Sequence, residues 1–142
     1  MNDLLAWGRQ ILASQPFSVL VGAELLDFTE GRAELKIAIR AELKQQHGFV
    51  HGGVVSYAAD NALTYAGGSV LGPGVVTSEF KINYVRPALG EVILARATVI
   101  HAGRNQAVCR CDVYVSKDGA ETLCATAQGT IAKLGQSAES RG

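Results

Sequence analysis

Apolar and polar residues alternate most regularly over residues 32–40, where Ala33, Leu35, Ile37 and Ile39 interleave with Glu34, Lys36 and Arg40. That period of two marks a half-buried strand. A second strand is predicted over 20–28, with Glu30-Gly31 as the turn between them. Before these, residues 3–14 place Leu4, Leu5, Ile11 and Leu12 toward one side of a short amphipathic helix, which Pro16 closes. A polar loop, 42–48, leads into a helix over about 51–67 whose apolar residues wrap all round, so the pattern predicts burial on most sides. Gly67-Gly68 and Gly72-Pro73-Gly74 end it. Four strands follow, over 75–86, 91–101, 105–116 and 121–134. The first has a polar face, Thr77, Glu79, Lys81 and Asn83, and an apolar face, Val76, Phe80, Ile82 and Tyr84. The connections at Leu89-Gly90, Gly103-Arg104-Asn105 and Asp118-Gly119 are short, which favours antiparallel neighbours. The polar tail, 136–142, is expected to fray. One long apolar helix with six strands predicts an α+β architecture, a curved antiparallel sheet wrapped around a single helix.

Composition sharpens this in three respects. A chain of 142 residues makes one domain, 1–142, with a core over about 15–134. At 48% hydrophobic and 18% charged, it is more apolar than an average domain, so some apolar surface is expected in a subunit interface. The formal net charge is zero, and no basic field is present for nucleic acid or a membrane surface. Cys109, Cys111 and Cys124 fit no zinc spacing and are expected as reduced core residues. With Asp3 and Arg9 interrupting the apolar residues at the start, the reading is a cytoplasmic protein without metal or signal peptide.

The chemistry centres on Asp60, an acid inside the apolar helix that opens at His51-Gly52-Gly53. A buried carboxylate is costly unless paired or hydrogen-bonded. The helix start gathers free backbone N–H groups and the positive end of the helix dipole. A carboxylate and a cluster of amide donors are two ingredients of acyl-group chemistry.

Gln45-Gln46-His47-Gly48-Phe49-Val50-His51-Gly52-Gly53, followed by Asp60, resembles the hotdog-fold acyl-CoA thioesterases, and among them the phenylacetate-pathway (PaaI-like) subgroup. The stretch Glu79 to Ala88 is similar to that family's third strand. The resemblance implies an acyl-CoA thioesterase that needs no cofactor, coenzyme A being part of the substrate. It implies Asp60 as nucleophile or general base, and the Gly52 N–H as the group that polarises the thioester carbonyl. Gln45 then helps hold the carbonyl or the attacking water, with Gln46 as a neighbouring competitor. His51 organises the site as a neutral hydrogen-bonding group, because the helix dipole disfavours a cation there. Gly53 and Thr77 line the substrate site. Thr64, one turn after Asp60, can orient the acid or hold water, or bond back to the helix. Arg86 and Arg104 suit coenzyme A phosphates through their planar donor forks.

The resemblance further implies a homo-oligomer, a dimer of dimers with each active site at a dimer interface. Two other readings are a hydratase or dehydratase on the same fold and a non-catalytic acyl-CoA sensor. The absence of a His-Phe-Pro-Gly pattern lowers the first, and the presence of Asp60 argues against the second.

Overall fold

The computed structural model of the protein describes residues 3–135. The predicted fraying of 136–142 lies outside the described residues. Two short helices, α1 (Asp3–Ala13) and α2 (Pro16–Val21), precede strands β1 (Ala23–Thr29) and β2 (Arg32–Ala38). A single 3-10 turn, Ala41–Leu43, and a tight loop lead into the long helix α3 (Gly52–Leu71). Strands β3 (Val75–Tyr84), β4 (Val92–Ala102), β5 (Gln106–Lys117) and β6 (Ala120–Lys133) complete the chain. All pairings are antiparallel, in one six-stranded sheet of order β1-β2-β4-β5-β6-β3. Four of the five pairings carry a register shift, and such bulges bend and twist a sheet, which is how this one curves around α3.

The segment around Pro16 departs from the expected strand. Helix α1 ends before Pro16, and the proline itself sits at the first position of α2, where its fixed φ is pre-set for a helix and its missing N–H is not needed. Gly22, at φ 79°, ends α2 in the left-handed conformation, so β1 starts at Ala23 instead of residue 20. The Arg40 guanidinium donates to the last carbonyls of α2, Val21 O at 2.9 Å and Leu20 O at 2.5 Å.

Helix α3 also runs on past Gly67-Gly68 to Leu71. It lies on a floor of small side chains. Ala58, Ala59, Ala62 and Ala66 face Ala95, Ala97, Cys109, Cys111 and Ala125, all at most 2% exposed. At Gly67 the approach is closest, because a Cβ there would stand 2.6 Å from Ile131 Cβ. Helix α3 is buried on most sides, as expected, with one exception. Ser56, Tyr57, Asp60, Asn61, Thr64 and Gly68 form a half-exposed strip at helical spacing. Alanines on the other faces mask this strip in the sequence, since they read as apolar wherever they stand.

A second departure concerns β3. A register shift between Thr77 and Glu79 places Ser78-Glu79 as a bulge opposite the step from Thr130 to Ile131. The alternation therefore changes phase. Val75 and Thr77 point to the helix side with Phe80 and Ile82, while Glu79, Lys81 and Asn83 face outward. Thr77 is thus not part of the polar face to which its spacing assigns it.

Two stability predictions follow from this packing. Gly67→Ala gains helix propensity but must displace Ile131, so it should lower stability by about 1–3 kcal/mol, seen as a reduced urea midpoint at unchanged slope. The three cysteines are free and buried, as expected. Burial pushes the thiols of Cys109 and Cys124 up to about 11, and burial with the nearby Asp112 pushes Cys111 higher still. Their folded values exceed their unfolded ones, so the folded state holds protons that the unfolded chain has released. This stability is fully present below about pH 9 and should fall away as pH rises from there through 11, measured as a declining urea midpoint. Iodoacetamide at pH 8 should modify none of the three until the protein unfolds.

Candidate active site

Asp60, Thr64 and Thr77 come together. The Thr77 hydroxyl donates to Asp60 Oδ1 at 2.6 Å. Thr64 lies 3.1 Å from Thr77 between hydroxyl oxygens and donates to the Asp60 backbone carbonyl at 2.8 Å. Proton accounting fixes the roles. A threonine hydroxyl has one proton. That of Thr77 goes to the carboxylate, so Thr77 holds Asp60 in place. That of Thr64 has two acceptors within reach, and its lone pairs stay open toward the strip. Asp60 Oδ2 makes no hydrogen bond among the described residues. Asn61, next to Asp60 in the chain, donates to the Tyr57 hydroxyl at 3.1 Å and to Gln15 Oε1 at 3.4 Å. Ser18 completes that cluster, donating to Gln15 Oε1 and accepting from Tyr57, and so ties the α1–α2 junction to α3.

The other expected residues gather at the start of α3. His51 is its N-cap, and its Nδ1 accepts from the Gly53 N–H at 2.8 Å. With Nδ1 accepting this bond, Nε2 is the ring nitrogen left to donate. A Cβ on Gly53 would press on His51 Nδ1 at 3.0 Å, so Gly53 serves the cap, and its amide is already engaged. The Gly52 N–H has no partner among the described residues. Its surroundings are open, since a Cβ would meet only the Tyr84 ring, at 3.6 Å. Tyr84, not singled out by the sequence, donates to the Gly52 carbonyl at 3.3 Å. Phe49, Val55, Tyr84, Val85 and Arg86 border the groove in front of Gly52. Gln45 Oε1 accepts from the His47 N–H, closing the tight loop that precedes the helix. Its amide nitrogen is left to point elsewhere, while Gln46 is exposed.

The two arginines are not brought together. Arg86 follows β3 and donates to Leu123 O at 3.0 Å, at the Gly52 end of the sheet. Arg104 sits in the β4–β5 turn, next to Asn105, whose carbonyl accepts from Lys133 N–H at the far end. The ten residues of β3 span the distance between those ends, about 30 Å. Nor are the two groups expected to act on one carbonyl, the Gly52 N–H and the Asp60 carboxylate, adjacent in the chain's own fold. Gly52 and Asp60 are eight residues apart on one helix, about 12 Å along its axis. No carbonyl can touch both.

Among the described residues no group of three or more His, Cys, Asp or Glu is placed to hold a metal ion, and no helix is long and apolar enough to cross a membrane. Gly52→Pro offers a direct check of the helix start. The position is the first of the helix, His51 is extended at ψ 135°, and no hydrogen bond is lost, so stability should be unchanged or raised by up to about 1 kcal/mol in urea unfolding.

Residues 47–122 match the thioesterase superfamily. A thioesterase family protein from Silicibacter pomeroyi is 38% identical and superposes with a TM-score of 0.85, covering 89% of this chain and 94% of that one. Acyl-coenzyme A thioesterase PaaI of Escherichia coli is 32% identical over 89 residues, 62% of this chain and 63% of that protein. The solved structure of PaaI, from the phenylacetic acid degradation operon, is alike in fold, with a TM-score of 0.80 at 24% identity over 92% of this chain and 94% of that one. The matched stretch contains His51, Gly52, Asp60, Thr64 and Thr77. With its antiparallel sheet curved around one long helix in the hotdog arrangement, and with this match over more than half its length, the chain belongs to the thioesterase superfamily.

Proposed function

We propose that this thioester hydrolase acts on acyl-CoA, at sites that each take Gly52 from one copy of the chain and Asp60 from a second. The observation that carries the reading is the division of one helix into two half-sites, an unpartnered N–H at its start and a held carboxylate two turns on. Each half is incomplete, and each is open. A second copy related by a two-fold axis supplies the missing half to both sites at once. Strand β3 supports such an association. It is an edge strand of ten residues with exposed Val76 and Tyr84, and exposed Val85 follows it. Pairing of two such dimers into a tetramer belongs to the same proposal.

In this mechanism the Gly52 N–H and the positive end of α3 draw electron density onto the thioester oxygen. A water held by Thr64 and Asp60 Oδ2 loses a proton to the carboxylate as its oxygen bonds to the carbonyl carbon. The tetrahedral intermediate collapses, the C–S bond breaks, and the coenzyme A sulfur leaves with the electron pair. The Thr77 hydrogen bond keeps Oδ1 fixed, so Oδ2 is the proton acceptor. His51 holds the loop over the helix start, and Gln45 reaches the carbonyl or the water through its amide nitrogen. Arg86, beside the Gly52 groove, is the arginine placed to meet a coenzyme A phosphate of that same site, with Arg104 reaching only one bound from the other side of the interface.

Released thiol from a panel of acyl-CoAs is the primary assay. Asp60→Asn should remove turnover by at least about a thousandfold with binding retained. Gly52→Pro should lose about a hundredfold or more in kcat while folding normally. Mixing these two inactive variants under conditions of subunit exchange should restore about a quarter of wild-type activity, because half the dimers are mixed and each holds one intact site. No recovery despite proven exchange would refute the shared site. Full activity in Asp60→Asn would refute the thioesterase mechanism.

A further inference from the structure

We infer that the pocket between α1 and α3 receives the acyl group, and that Gly68 and Trp7 limit that group to a single ring or a chain of comparable size. The inference rests on the thioesterase reading for the identity of the ligand. It rests on the pocket itself for the size. Trp7, Ile11, Phe28, Tyr65 and Val75 make its mainly apolar wall, and the polar Gln15, Asn61 and Thr64 also line it. Thr64 is in contact with Thr77, and Thr77 with the Asp60 carboxylate. The pocket therefore opens two hydrogen bonds from the proposed base, a position suited to the far end of an acyl group whose carbonyl is under attack. Its volume is about 120 Å³. An apolar cavity of about 150 Å³ holds one benzene molecule.

The walls are preformed. The Tyr65 hydroxyl donates to the Gly8 carbonyl at 2.9 Å, which turns the polar tip of the ring away from the pocket and fastens α1. Phe28 packs edge-on against Tyr65 at 5.1 Å between ring centres. A Cβ on Gly8 would stand 2.6 Å from the Phe28 ring, so α1 sits as close as its glycine allows. Ligand pockets are commonly of this kind, apolar and already shaped in the free protein.

Gly68 is the residue that the fold does not explain. A glycine inside a helix is about 1 kcal/mol less stable than an alanine. At Gly67 the close approach to Ile131 accounts for it. At Gly68 a Cβ would meet nothing nearer than Val75 Cγ2, at an ordinary contact distance of 3.4 Å. Gly68 and Val75 both line the pocket, so a side chain at 68 would take up space in it.

Trp7 is the single tryptophan of the chain, and it lies on the pocket wall, 39% exposed. Its fluorescence therefore reports the pocket without any turnover. The test titrates the ethyl, hexyl and benzyl thioethers of coenzyme A, which cannot be hydrolysed, into wild type, Gly68→Ala and Gly68→Val. The hexyl and benzyl compounds should move Trp7 emission to shorter wavelength, and the ethyl compound should not. The hexyl-to-ethyl affinity ratio should fall at least tenfold in Gly68→Val and by a smaller step in Gly68→Ala. Gly68→Ala keeps the test available should the valine variant unfold. Hexyl binding without a Trp7 response, no thioether binding at all, or an unchanged ratio in the folded variants would overturn the inference. Released-thiol assays with hexanoyl-CoA separate the two readings. Selective thioether binding without Asp60-dependent hydrolysis would leave the pocket and remove the thioesterase mechanism. Asp60-dependent hydrolysis with a flat ratio would do the reverse.

Discussion

The distance between α3 and its sheet governs the rest of the structure, and it is set where Gly67 rests on Ile131. Ile131 is also the residue that pairs with Thr77 across the β3–β6 ladder. The contact that brings the helix down therefore lies beside the strand position whose hydroxyl reaches the Asp60 carboxylate. A helix riding even one methyl group higher would stretch a 2.6 Å hydrogen bond beyond use. The alanines of α3 and the alanine and cysteine floor beneath it serve the same end along the length of the helix. Small residues here are a condition for a site on the helix flank, as well as for a dense core.

The bulge in β3 is the second half of that condition. Without the register shift after Thr77, the alternation that puts Phe80 and Ile82 against the helix would turn Thr77 outward. Gly129 makes room for the bulged strand, since a Cβ there would stand 2.8 Å from the Glu79 carbonyl and 3.3 Å from Leu63. The bulge, its glycine and the threonine form one device that re-aims a single hydroxyl.

How much of this could be read in advance depended on the range of the interaction. Strands β2, β4, β5 and β6 and helix α3 carry their signals locally, in alternation, apolar length and turn residues, and each lies within a few residues of where the pattern puts it. The family resemblance in residues 45–60 pointed correctly to a thioesterase fold. The phase of Thr77 was not legible, because a bulge is decided by the partner strand and leaves no mark in the alternation. Helix α1 ends before Pro16 as the pattern predicts, but α2 was not legible, because the same residue that breaks a helix from inside begins one from its first position. The open strip on α3 was hidden by alanines, which take a buried or an open place with equal ease. Gly53 and Asn61 were near the chemistry in sequence, but their hydrogen bonds go to the N-cap and to Tyr57, partners that sequence spacing alone did not pick out.

A rigid helix gives the physical reason for the divided site proposed above. Backbone donors are unpaired only in the first turn, so an oxyanion site made of amides must sit at the start of α3. A carboxylate placed in that same turn would be drawn to those amides and would occupy them itself. Asp60 stands two turns further on, beyond reach of the donors of its own chain and beside hydroxyls that leave one oxygen open. The separation keeps the acid from quenching the oxyanion site within one subunit. In the proposed mechanism the same rigidity assigns the acid to a carbonyl held by a second copy. The half-exposed strip on α3 and the unpaired edge of β3 are the two surfaces that the proposed association would cover.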